Sequence, residues 1–197
     1  MVKSDKIRPK SMKSQDYKNK VPILIKKLLK SLGENPGREG LKETPQRIAR
    51  MYQELLKGYQ QNPKTVFKRF DGEKYVGLIV IDNIDFYSLC EHHLLPFYGR
   101  IHIGYVPDGH ILGLSKFARL VDIFARRLQI QERLTKQIAD SLEKNLSPRG
   151  IVVYCEAEHF CMRMRGIKKT QSRVKTLVKT GVFNTDKNLL TQFFKQL

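Results

Sequence analysis

The sequence predicts an α+β protein, an antiparallel sheet with helices against one face, behind an N-terminal helical extension. Three observations carry that prediction. Apolar residues recur three and four positions apart in several separate segments, the spacing of a helix face. Between those segments, YVGLIVIDNIDFYSLC and YGRIHIGYVP are rich in β-branched and aromatic residues, as strands are. The resulting order is two helices, then strand, strand, helix, helix, strand, strand, for which a helix-backed antiparallel sheet is the natural solution.

Taken in order, residues 1–16 are polar and basic and are expected to form a disordered tail. Val21, Leu24, Ile25, Leu28, Leu29 and Leu32 make the stripe of a first helix, with Gly33 as its stop. Thr44-Pro45 reads as an N-cap followed by proline at the first helical position. Ile48, Met51, Tyr52, Leu55 and Leu56 continue that second helix toward Gly58. The two strands follow from about Tyr75, and Pro107-Asp108-Gly109 marks a turn after them. Helical spacing returns at Phe117, Leu120, Val121, Phe124, Ala125 and Leu128, and again at Leu134, Ile138, Leu142 and Leu146. Ile130 falls off the first of these stripes, so the two helices divide near Gln129. After Ser147-Pro148-Arg149-Gly150, IVVYCEAEHFCMRMRG reads as a third strand, a fourth lies within 172–183, and TDKNLLTQFFKQL forms a closing helix. A helical region over 17–70 thus precedes a sheet domain over 71–197. Such a sheet leaves edges that must be covered or paired, and closure with other copies is one way to do so.

At 197 residues the chain has room for one domain and an appendage. With 41% hydrophobic residues and a mean hydropathy of −0.43 it can bury a core and stay soluble. No apolar run approaches the roughly 18 residues of a membrane span, and the basic N-terminus lacks the apolar segment of a secretory signal. A cytoplasmic protein is expected. Three cysteines, Cys90, Cys155 and Cys161, are too few and too odd in number for a disulfide framework. The net charge of +18 favours a polyanionic partner, whether nucleic acid, an anionic surface or a nucleoside triphosphate. Lysine-rich solvated faces explain it equally well.

The densest chemistry lies in Cys90-Glu91-His92-His93 and, far downstream, His159-Phe160-Cys161. Zinc takes thiolate and imidazole ligands, and a catalytic zinc keeps three of them with one open position. Cys90, His93 and Cys161 make such a set, although adjacent histidines also arise by chance. If the third strand stays extended, alternation puts His159, Cys161, Arg163 and Arg165 on one face, joining a ligand, a base and two cations. Arg47 and Arg50 are neighbours on the second helix, with Glu54 near enough to lie between them. Ser115 and Lys116 follow Gly113 at a helix start, where free N–H groups attract phosphate, and Arg119 lies one turn on. Taken singly, each of these is more often surface decoration, and neither a Walker A loop nor G-x-G-x-x-G is present. Gln131-Glu132 falls between the two middle helices, where solvation is the default reading. Cys155 reads as structural.

SLCEHHLLPFYGRIHIGYVP, GLSKFARLVDIFARRLQIQERLT, AEHFCMRMRG and ETPQRIARMY together resemble GTP cyclohydrolase I, in order and at matching separations. The resemblance runs from about Asn35 to about Asn184. It implies the tunnelling fold, a toroidal homodecamer with active sites at subunit interfaces, and Zn2+ held by Cys90, His93 and Cys161. His92 and His159 then match the proton-transfer histidines, and Gln131 and Glu132 the residues that hold guanine, where a carboxylate accepts from adjacent N–H donors. Arg47, Arg50, Ser115, Lys116, Arg119 and Arg165 match positions around the ribose and triphosphate. The implied reaction is zinc-dependent hydrolysis of GTP to 7,8-dihydroneopterin triphosphate and formate, the first step toward tetrahydrofolate or tetrahydrobiopterin. Arg50 stands where many members carry lysine, which keeps the charge and changes the hydrogen-bond geometry.

Two other readings compete. A basic nucleic-acid-binding protein with a structural zinc accounts for the charge, but it needs a fourth ligand such as His92 or Cys155 and lacks any known finger spacing. A tunnelling-fold enzyme acting on another pterin or deazapurine keeps the fold and changes the reaction. The Cys-Glu-His-His and His-x-Cys pair favours the cyclohydrolase, with GTP as partner and neither membrane nor nucleic acid.

Overall fold

A computed structural model describes residues 14–72 and 75–197. The chain divides into two compact units, one ending at Gln60 and one running from Gln61 to Leu197.

The first unit holds α1 (Ser14–Asn19), α2 (Val21–Ser31) and α3 (Thr44–Leu55). The basic tail expected over 1–16 lies outside the described residues as far as residue 13, and α1 spans the boundary expected at residue 16. Gly33 ends α2 in the left-handed region (φ 83°), as a glycine stop should. Thr44 is the first residue of α3 rather than its cap, and Pro45 follows within the first turn, where its missing N–H costs no helical bond.

The second unit is built on a five-stranded sheet in the order β5-β2-β3-β6-β7. Its strands are β2 (Ile79–Cys90), β3 (Pro96–Val106), β5 (Leu128–Gln129), β6 (Gly150–His159) and β7 (Val174–Gly181). The pairs β2–β3, β3–β6 and β6–β7 are antiparallel, and the two-residue β5 lies parallel to the end of β2. A separate ribbon joins β1 (Arg69–Asp71) to β4 (His110–Leu112). Neither β5 nor this ribbon is visible in the sequence pattern, because two or three residues set no period. At Gly99 a Cβ would strike the Glu156 carbonyl, so the close β3–β6 pairing there requires glycine.

Helices α4 (Leu114–Ala125) and α5 (Gln131–Leu146) cover one face of this sheet. Their stripes, Phe117, Leu120 and Val121 with Leu134, Ile138 and Leu142, are all essentially buried. They pack on Phe86, Ile101, Ile103, Ile151, Val153 and Cys155, alternate residues of β2, β3 and β6. The opposite face is different. One end is capped by α7 (Lys187–Lys195), whose Phe193 packs with Val106, Val152 and Phe183. Asp186 caps that helix by accepting from the Leu189 N–H at 3.0 Å. Beyond α7 the face is polar, an open cleft of about 580 Å³ lined by Asp85, Arg100, His102, Glu156 and Arg173.

The third strand is shorter than the sequence suggests. Extension stops at His159, and Phe160–Arg163 forms one helical turn, α6. The reason is that both ladders run out there. Pairing with β3 ends at Phe97↔His159, one residue inside the start of β3 at Pro96, and pairing with β7 ends at Ala157↔Val174. Without partner strands, the backbone of 160–164 satisfies itself, with the Met164 N–H bonded to the Phe160 carbonyl at 3.0 Å. His159, Cys161, Arg163 and Arg165 therefore do not share a strand face, and Arg163 turns back to pair with Glu158.

Candidate active site

The chemistry gathers where the helix-covered face of the sheet ends. Cys90 is the last residue of β2, and the chain reverses through 91–95 into β3. That reversal is tight. The Cys90 N–H donates to the Leu95 carbonyl and the Leu94 N–H to the Cys90 carbonyl, both at 2.8 Å. Leu94 takes a left-handed backbone (φ 54°), uncommon for a residue with a Cβ. The turn brings His93 Nδ1 to 3.8 Å and His92 Nδ1 to 3.9 Å from Cys90 Sγ.

Cys161 arrives from the α6 turn. Ligand atoms of Cys90, His93 and Cys161 all lie within 4.8 Å of one another. The α6 turn, rather than a continued strand, supplies this convergence. Burial pushes the Cys161 thiol up, the neighbouring Cys90 raises it further, and Arg165 pulls it partly back. Two thiols and an imidazole so placed suit a soft divalent cation, whose charge would reverse that destabilisation of the thiolates. Cys155 is not part of the group. It is fully buried, and its thiol is pushed up to about 12 chiefly by that burial.

His159 ends β6 opposite Phe97 and stacks on that ring, with centroids 4.7 Å apart and planes 2° from parallel. Burial lowers its pKa, and the Glu132 carboxylate acts against that shift. Gln131 and Glu132 do not sit between helices. They form the first turn of α5, with Gln131 buried and Glu132 exposed. Gln131 Oε1 lies 2.9 Å from His159 Nε2.

A sequence model of the GTP cyclohydrolase I family matches residues 23–197. The chain belongs to the GTP cyclohydrolase I family. Among its relatives, the GTP cyclohydrolase 1 of Carboxydothermus hydrogenoformans is 49% identical over 169 residues, covering 85% of this chain and 88% of that protein. The GTP cyclohydrolase 1 of Streptococcus agalactiae is 50% identical over 85% of this chain and 90% of its own. For the GTP cyclohydrolase 1 of Clostridium kluyveri the values are 45% identity, 91% and 97%. This chain is accordingly a GTP cyclohydrolase, an enzyme of that family's type. Among solved structures, the archaeosine synthase QueF-Like in the apo form aligns with a TM-score of 0.44 and 17% identity, covering 53% of this chain and 93% of that one.

Not every expected residue meets the thiol–imidazole group. Ser115, Lys116 and Arg119 occupy the first turns of α4. Among the described residues none of the three hydrogen-bonds to Cys90, His93 or Cys161. Arg47 and Arg50 lie on α3, in the first unit, and Arg47 bonds to Glu43 one turn back at 2.7 Å. Other residues at the site went unnoticed in the sequence. Glu91 pairs with Arg133 of α5, which also donates from Nε to Gln129 Oε1 at 3.1 Å. Gln129 is 1% exposed and donates to the Phe124 carbonyl at 2.9 Å and to Gln137 Oε1 at 2.8 Å. This chain of polar groups ties the Cys90–His93 turn, through Glu91, to α5. Its one sequence signal was Glu91, an acid set between metal-ligand types.

Proposed function

We propose that this GTP cyclohydrolase hydrolyses GTP to 7,8-dihydroneopterin triphosphate and formate in a zinc-dependent reaction, as the first step of tetrahydrofolate or tetrahydrobiopterin biosynthesis. The observation that carries the proposal is the convergence of Cys90, His93 and Cys161, whose ligand atoms lie within 4.8 Å of one another. Zinc held by these three would supply a water acidic enough to lose its proton near neutral pH.

The chain's own residues do the rest. His159 takes a proton as the imidazole ring of guanine is attacked at C8, and His92 or His159 returns one to the departing nitrogen. Glu132, a carboxylate in the first turn of α5, accepts from the adjacent N–H groups of guanine. Gln131 belongs to the same end of the base. The N-terminal turns of α4, with Ser115, Lys116 and Arg119, offer N–H groups and cations to the triphosphate, and Arg165 offers another cation. Arg47 and Arg50 are proposed as further triphosphate ligands from the family resemblance alone. One water opens the ring and a second releases formate. The ribose then opens, rearranges and closes the new ring with loss of water, so no redox partner is needed.

Assembly and location belong to the same proposal. The outer edge of β7, and the edge of β2 away from β3 over Ile79 to Ser88, have no partner strand among the described residues, which supports closure into a homo-oligomer, proposed to be a decamer. No described helix is long and apolar enough to cross a membrane, and a cytoplasmic location is proposed with that.

The test is to incubate the zinc-loaded protein with GTP and follow formate together with pterin fluorescence after oxidation. Both should appear. Absence of both, where a known GTP cyclohydrolase turns over, overturns the proposal.

A further inference from the structure

Gln131 is 1% exposed, and its side chain offers two N–H donors and one acceptor oxygen. Its Nε2 lies 3.1 Å from the Cys155 carbonyl oxygen, 3.0 Å from that of Val174 and 3.2 Å from Thr176 Oγ1. Backbone carbonyls only accept, so the amide nitrogen must face them. A reversed amide would set its oxygen against two others in a buried site. The hydroxyls agree with this order. Thr135 Oγ1 donates to the Gln131 carbonyl at 2.8 Å, so at their 2.7 Å contact Thr176 donates to Thr135 and turns a lone pair toward Gln131 Nε2.

With its nitrogen fixed, Gln131 presents Oε1 to His159 Nε2 at 2.9 Å. An amide oxygen cannot donate, so the hydrogen of that contact belongs to His159. In a neutral imidazole the other nitrogen, Nδ1, then carries the lone pair. Stacking on Phe97 fixes the plane of the ring, so both its tautomer and its orientation are set from outside the reacting centre.

We propose that Gln131 is a positioning residue that holds His159 in its Nε2–H tautomer, so that Nδ1 is the nitrogen presented to the reaction. This goes beyond the expected role of Gln131 as a guanine ligand, since three protein acceptors already surround its two N–H groups. It rests on His159 acting in proton transfer. In turnover Nδ1 takes the proton, the imidazolium keeps its Nε2–H on Gln131, and the same proton leaves from Nδ1, so the ring returns unchanged.

The experiment uses full-length, zinc-loaded protein with nitrogen-15 histidine. The chain has five histidines, and the His159→Ala spectrum identifies the resonances that belong to His159. In the unaltered protein Nε2 should carry the hydrogen and Nδ1 should not. Gln131→Met, close in volume and without polar atoms, should lose that one-sided pattern. It should cut kcat by at least about 10-fold, part of the range open to a proton-transfer group, a loss larger than any rise in KM for GTP. Zinc content should not change. Placed on His159→Ala, Gln131→Met should produce no further loss, whereas a merely structural role would persist there.

A hydrogen on Nδ1 in the unaltered protein overturns the proposal, and that spectrum decides it even if Gln131→Met does not fold. A raised KM with kcat intact, or a loss undiminished in the His159→Ala background, also overturns it. Normal turnover by His159→Ala would instead refute the proton-transfer reading, while the spectrum still reports on Gln131.

Discussion

The two faces of the central sheet are made by the same strands and held by different forces. Under α4 and α5 the alternate residues of β2, β3 and β6 are apolar and buried, among them Phe86, Ile101, Ile103 and Val153. On the other side the intervening residues form a lattice of charges. Arg173 bonds to Glu156 at 2.7 Å and approaches Glu158 at 3.3 Å, Lys175 lies 3.3 Å from Glu156, and Tyr98 donates to Glu158 at 3.0 Å. Cys90 and His159 continue the parity of the apolar face, at the strand ends where its side chains give out. Reactive groups set against such a wall are positioned by close packing, which leaves them few alternative rotamers. The charged face pairs its groups in partial contact with water, where each pair contributes little.

The largest effect should come from the end of the apolar face. His159→Ala should lower kcat by about 10²–10⁴-fold, the usual contribution of a positioned proton-transfer group. It should do so with zinc content unchanged, and normal turnover would remove His159 from the chemistry. Next is the wall itself. Ile138 of α5 is fully buried, and Ile138→Ala should lower unfolding stability by about 2–5 kcal/mol, read as a shift in urea midpoint.

A pH effect separates the faces further. His102, on the polar side of β3, is only 7% exposed, and its Nδ1 accepts from the Asn83 N–H at 3.3 Å. Asn83 sits at the register shift of β2 with φ 52°, so that N–H has no regular ladder partner. Burial pushes His102 below its ordinary value of 6.5, while Asp82 and Glu156 pull it up and Arg100 adds to the depression. The unfolded chain therefore binds more protons at mildly acidic pH, and stability falls as pH drops below about 6.5. His102→Gln should flatten that part of the urea midpoint against pH. An identical slope in both proteins would exclude His102 as its source. The smallest effect belongs to the charged lattice. Arg173→Ala should change stability by no more than about 1 kcal/mol, and by less in high salt. A loss as large as that of Ile138→Ala would erase the distinction between the faces.

The same contrast explains what could be read from the sequence. The apolar face was legible because burial imposes a period. The stripes of α4 and α5 and their division near Gln129 follow from it, except that Leu128, read into the first stripe, lies in β5. β-Branched and aromatic richness marked the strands within 75–90 and 98–107, which the structure bounds at Ile79–Cys90 and Pro96–Val106. Cys90 and His93 were legible as a chelating pair because they lie in one short turn. The course of the chain after His159 was not. Where β6 ends depends on where β3 and β7 stop offering partners, which is a property of the assembled sheet. The same holds for Gln131, whose two neighbours, Cys155 and Val174, are brought to it by pairing of β6 with β7. The excess positive charge led nowhere specific, since lysine-rich solvated faces explain it as well as a polyanionic partner does.

Cys161 is the donor that the α6 turn delivers to Cys90 and His93. The decisive measurement is the zinc content of purified Cys161→Ser beside that of the unaltered protein. Loss of bound zinc together with loss of formate release from GTP is the expected result. Full zinc occupancy in Cys161→Ser would contradict the ligand set, and with it the proposed site of the reaction.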